Sequence, residues 1–80
     1  PFPNPFNPIV SITFNQKHTS MVQLAVYDIK GQELAVLFDG MMPTGKSSFT
    51  WNALIYPTGI YFIKAIVGNQ VQVKKVQLLK

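Results

Sequence analysis

The eighty-residue chain contains no cysteine and no arginine, and it has three acidic residues and one histidine. Without cysteine there is no disulfide staple and no thiolate metal site, and the redox compartment stays open. Without arginine, the formal net charge of +4 comes from lysine alone. Lys17, Lys30, Lys46 and Lys64 are scattered near expected turns or strand ends, whereas Lys74, Lys75 and Lys80 gather at the C-terminus. Nucleic-acid recognition calls for a denser patch with guanidinium forks, so no nucleic-acid partner is expected. No apolar run approaches the ~20 residues of a membrane span. Neither an initiator Met nor a signal-peptide pattern opens the chain, which reads as a piece of something longer.

Scarce acids also restrict chemistry. The titratable candidates are His18, Asp28, Glu33 and Asp39, and Asp28 is already claimed by a turn signature. No serine sits in the context of an activated nucleophile. A paired-carboxylate glycosidase needs two acids converging across a cleft, for which so small a chain leaves little room. No Asp/Asn run has EF-hand spacing, and His18 reads as a solvated loop residue. The expectation is no enzyme, no metal and no cofactor.

What the chain does have is apolar bulk: 48% hydrophobic residues, with six Phe, three Tyr and one Trp, against 12% charged. That composition argues against disorder and for one domain near the lower size limit for a self-sufficient core. Each apolar stretch is short, β-branched or aromatic, and bounded by turn residues. Val10 to Phe14 alternates, and so does Val22 to Tyr27, with Val22, Leu24 and Val26 sharing a face. Leu34 to Phe38 is too uniformly apolar to reveal its inward face. Ser47, Phe49 and Trp51 share another face, and in the longest strand, Ile60 to Val67, the apolar face is Tyr61, Ile63, Ala65 and Val67. In the last strand Val71 and Val73 fall out of phase with Val76 and Leu78, which predicts a β-bulge at Lys74-Lys75.

Turn chemistry separates these runs. Asp28-Ile29-Lys30-Gly31 and Tyr56-Pro57-Thr58-Gly59 fit type I turns, Gly68-Asn69 is a two-residue hairpin link, and Asp39 to Gly45 reads as a longer loop. Six or seven short strands and no helix predict an all-β fold, an antiparallel immunoglobulin-like β-sandwich. Ahead of it, residues 1–8 hold four prolines, which fix φ and cannot donate to a ladder. Each residue before a proline is pushed toward extended geometry. The expected organisation is a stiff lead-in over residues 1–8, continuing from an upstream passenger, and a sandwich over residues 9–80.

Taken in order, Pro3-Asn4-Pro5-Phe6-Asn7-Pro8, Ile12-Thr13-Phe14, Val26-Tyr27-Asp28 with Gly31, Gly45, Trp51-Asn52, Gly59-Ile60-Tyr61-Phe62 and Lys74 to Leu79 form a pattern. It resembles the C-terminal sorting domain, type A, of type IX (Por) secretion substrates, which is similar in turn to the immunoglobulin-like domain of the flagellar hook-capping protein. The resemblance implies a targeting module on secreted proteins of Bacteroidetes and related bacteria. Such a module folds in the periplasm and directs its passenger through an outer-membrane translocon to the cell surface or beyond. A shuttle protein delivers it to a sortase that removes it and commonly joins the passenger to anionic lipopolysaccharide. The family's recognition elements match at Pro3, Asn4 and Pro5, at Gly59 and Tyr61, and at the run Lys74, Lys75, Val76, Leu78, Leu79 and Lys80. Departures occur at Asn52, Gln32 and Asn15-Gln16, where the family often has an acid, an arginine and a Leu-Pro pair.

A receptor for a sorting domain must read edges, turns and termini. The last strand offers a lysine pair, an apolar pair Leu78-Leu79 and the terminal carboxylate, all suited to strand addition. The same lysines also suit an edge strand that resists aggregation, Gly59 suits a turn, and Tyr61 suits core packing with its hydroxyl at the rim. The rival readings are a carbohydrate-binding module using Trp51, Tyr56 or Tyr61, and a structural β-sandwich appended to a secreted hydrolase. Trp51 shares a face with Phe49, which favours burial over a sugar platform.

Overall fold

The computed structural model describes residues 8–79, which form six strands and no helix. These are β1 (Ile9–Gln16), β2 (Ser20–Asp28), β3 (Glu33–Met42), β4 (Gly45–Asn52), β5 (Gly59–Val67) and β6 (Gln70–Leu78). All pairings are antiparallel: β1 with β4 in one sheet, and β3-β2-β5-β6 in the other. This is the all-β, immunoglobulin-like sandwich that the strand pattern predicts, with six strands among the described residues.

The alternation in each strand decides what is buried. In β1, half-buried Val10, Ile12 and Phe14 alternate with exposed Ser11 and Thr13, because successive side chains point to opposite faces. The register sets Val10 beside Trp51 and Ile12 beside Phe49. Facing them, Val22, Leu24 and Val26 are 0% exposed, and Tyr61, Ile63 and Ala65 complete the inner face of β5. Burying one such aliphatic side chain contributes roughly 1.5–3 kcal/mol. Phe49 links the layers, its ring centroid 6.3 Å from Phe14 and 5.2 Å from Phe38.

Strand β3 shows why the apolar run Leu34 to Phe38 hides its inward face. The β2–β3 register shifts twice, between Leu24 and Ala25 and between Val26 and Tyr27, so Leu34 and Leu37 are extra residues on β3. Leu34, Ala35, Leu37 and Phe38 all pack against the core, and Val36 turns out to solvent. The strand also continues further than expected. Asp39 to Met42 pairs with Ser20 to Gln23 and buries Met42 completely, leaving Pro43-Thr44 as the β3–β4 link in place of a longer loop.

Two turns take the expected form. The Asp28 carbonyl accepts from Gly31 N–H at 3.0 Å, and the Asp28 carboxylate accepts from Lys30 and Gln32 N–H, both at 2.9 Å. Gly31 has φ +84°, a value costly for any residue with a Cβ. Gly68-Asn69 joins β5 to β6 directly, with Val67 opposite Gln70. Between β4 and β5 the hydrogen-bonded turn lies earlier than predicted, with Tyr56 N–H donating to Ala53 at 3.0 Å. It starts there because the Asn52 side-chain oxygen accepts from Leu54 N–H at 3.1 Å, fixing the chain before Pro57.

The bulge predicted at Lys74-Lys75 is not formed. The β5–β6 register runs without interruption from Val67–Gln70 to Gly59–Leu78. The phase change is real: Val76 and Leu78 point inward and are buried, whereas Val71 and Val73 point outward and are 58% and 59% exposed. A two-stranded sheet cannot roof a four-stranded one completely. The first half of β6 therefore carries Gln72 and Lys74 on its inner face, and its second half carries the apolar pair.

Candidate functional site

The trailing strand lies at a sheet edge. It pairs with β5 on one side, and no described strand pairs with the other. Lys74, Lys75, Gln77 and Leu79 are exposed, Leu79 at 68%. Val76 and Leu78 are 9% and 4% exposed and belong to the core. Lys74 opposes Ile63 and Lys75 opposes Phe62, so the two ammonium groups leave from opposite faces of the sheet. The expected run thus divides into anchors and readable groups. Pro3, Asn4, Pro5 and Lys80 lie outside the described residues.

Two motifs separated in sequence meet here. Gly59 pairs with Leu78, and Tyr61 pairs with Val76. Tyr61 is 5% exposed, and its hydroxyl donates to the Pro57 carbonyl at 2.6 Å. A tyrosine near the start of a strand, bonded to backbone a few residues upstream, is the corner device of immunoglobulin-like sandwiches. Its ring lies 5.4 Å from Trp51 and 6.2 Å from Tyr56, and the Tyr56 hydroxyl donates to the Leu34 carbonyl at 3.2 Å. Trp51 is 3% exposed, and its Nε1 has no acceptor among the described residues. Trp51 and Tyr61 therefore offer no platform for stacking a sugar. Their aromatic cluster braces the β4–β5 link and the inner face of β6.

The acids do not converge with His18. Glu33 and Asp39 line a shallow outer-face depression of about 200 Å³ with Tyr27 and Lys64. His18 sits exposed in the β1–β2 link, its carbonyl accepting from the Ser20 hydroxyl at 3.2 Å. Within the depression, Lys64 Nζ stands 5.4 Å from the Tyr27 ring centroid, and the Tyr27 hydroxyl donates to Glu33 at 3.3 Å. Partial burial, then the Glu33 charge and its hydrogen bond, push the Tyr27 phenol above its ordinary value. No group of three or more potential metal ligands exists among the described residues.

A feature missed in the sequence lies on the other side of β6. A groove of about 410 Å³ runs between β1 and β6, floored by Leu24, Ile63 and Ala65 and flanked by Ile12, Phe14 and Lys74. Its signal was the polar inner parity of Gln72 and Lys74, which a predicted bulge explains away.

Across residues 1–78, nearly the whole chain, the sequence matches a family model described as a secretion system C-terminal sorting domain. The chain belongs to this family. It is the sorting domain of type IX (Por) secretion, a family of targeting modules and not of catalysts. Membership in this family implies involvement with type IX secretion machinery and an attached upstream passenger, and export to the cell surface or the extracellular space. Searches of curated proteins and of solved structures gave no significant match.

Proposed function

We propose that this sorting domain carries a passenger joined ahead of residue 1 across the outer membrane, and that the machinery reads the edge of β6. The lead-in over residues 1–8 keeps the passenger clear of the sandwich formed by residues 9–80, and Pro3, Asn4 and Pro5 supply a second contact. The domain folds in the periplasm, engages the translocon, and passes by a shuttle protein to a sortase that removes it at the surface.

One observation carries this reading. The edge strand is held by Val76 and Leu78 against Tyr61 and Gly59, while Lys74, Lys75 and Leu79 remain exposed on it. A receptor adding a strand to that edge gains main-chain hydrogen bonds for affinity and reads side chains for selectivity. Gly59 and Tyr61 contribute indirectly, through the shape of the link and the seating of β6. In the sequence, Lys80 adds a third lysine to this run.

The test joins residues 1–80 to a fluorescent passenger in a type IX-competent bacterium and follows it by fractionation and intact-mass analysis. The expected result is a surface-exposed or released passenger lacking the domain. A passenger retained in the periplasm at the level of a fusion without residues 1–80 would reject the proposal. Surface delivery with the domain still attached would reject the sortase step alone.

A further inference from the structure

Two unpaired edges flank the same groove. Among the described residues β1 pairs only with β4, and β6 pairs only with β5, so each leaves a row of backbone donors and acceptors unpaired beside the groove. The groove between them has an apolar floor, Ile63 and Ala65, with Ile12 and Phe14 on one wall and Gln72 and Lys74 on the other. The β1 wall runs from Ser11 to Gln16, which at about 3.3 Å per residue is the length of an extended segment of about six residues.

Charge identifies the occupant. Lys74 faces the groove, and none of Asp28, Glu33 and Asp39 lines it. A second copy of β6 is a poor occupant. The strand spans residues 70–78, so symmetric antiparallel pairing about its centre would set Lys74 against Lys74, and like charges directly opposite are destabilising. Residues 1–8 bring no carboxylate either.

We infer that the β1–β6 groove receives an extended peptide strand from another protein, with alternate apolar side chains on the floor and one carboxylate against Lys74. The added strand would close the sandwich along its open side and remove both free edges at once. The inference deepens the sorting reading and rests on it for its biological occasion, because it assigns a partner chemistry to the inner side of β6.

The test uses residues 1–80 and a fluorescein-labelled nine-residue peptide of alternating valine and threonine with one central glutamate. Fluorescence anisotropy should show saturable binding, at least tenfold weaker when the glutamate is replaced by lysine. Lys74→Glu should reverse that preference, and Lys30→Glu, exposed in the β2–β3 turn and away from the groove, should leave it unchanged. A probe methylated on every second amide nitrogen, able to ladder along one edge only, should bind more weakly. Absence of binding, equal effects of the two lysine substitutions, or unaltered binding by the methylated probe would each overturn the inference. Since the readout is binding in solution, its failure leaves the sorting reading standing, and a failure of export leaves the groove standing.

Discussion

The Tyr61 hydroxyl donates a 2.6 Å hydrogen bond to the carbonyl of Pro57, four residues earlier. That bond ties the β4–β5 link to the strand against which β6 is seated. Tyr61→Phe keeps the ring and leaves the carbonyl without its partner. The expected cost is about 1–2 kcal/mol, read from urea unfolding as a lower midpoint with an unchanged slope. An unaltered midpoint would show that the corner does not hold the link.

The inner and outer parities of β6 predict a sharp contrast for one isosteric change. Val76→Thr places a hydroxyl in the core and should destabilise the domain by about 1–3 kcal/mol. Val73→Thr stays β-branched in solvent and should remain within about 0.5 kcal/mol of the original. A bulge at Lys74-Lys75 would bring Val73 inward and make both substitutions costly.

Tyr27 makes stability depend on alkaline pH. Partial burial, and then Glu33, raise its phenol above the ordinary value. The folded state therefore holds this proton more tightly than the unfolded chain does. Its contribution is fully present below the unfolded phenol value, about 10, and is lost as pH rises through the higher folded value. Ultraviolet absorbance titration of the chain against Tyr27→Phe should isolate a phenol ionising above that value. Glu33→Gln should lower its midpoint, and a midpoint unmoved by Glu33→Gln would show that the pair does not interact.

The Asp28 turn should be sensitive at both ends. Asp28→Ala removes an acceptor shared by the Lys30 and Gln32 N–H groups, at about 1–2 kcal/mol. Gly31→Ala forces a Cβ onto a φ of +84°, at about 1 kcal/mol or more. Thermal unfolding of the two single variants checks both, and a loss from only one would show that the turn is not held at both ends.

The fold was legible wherever one face of a strand is apolar and the other polar. Val22, Leu24 and Val26 announce their face by alternating with more polar neighbours, and in β5 Lys64 alone marks the outward parity opposite Tyr61, Ile63 and Ala65. Legibility failed where tertiary context assigns the face. The bulged β3 turns four of Leu34 to Phe38 toward the core. Asp39 and Gly40 look like loop residues but pair with Gln23 and Val22. The C-terminal run was legible as a strand, yet which of its residues hold the strand and which face outward depends on how far the smaller sheet reaches over β6. The groove was illegible for the same reason, since it belongs to the gap between two edges and not to any one strand.

The division of β6 into anchors and readable groups also shapes the decisive export experiment. Deleting Lys74 to Lys80 removes Val76 and Leu78 from the core, so lost export would be confounded with unfolding. The cleaner change is Lys74→Ala, Lys75→Ala and Leu79→Ala together, all exposed. Carried on the fluorescent passenger, this variant should unfold at the same urea concentration as the original domain and yet leave most of the passenger in the periplasm. Delivery to the surface at the original level, with folding equally intact, would contradict recognition through the exposed trailing edge.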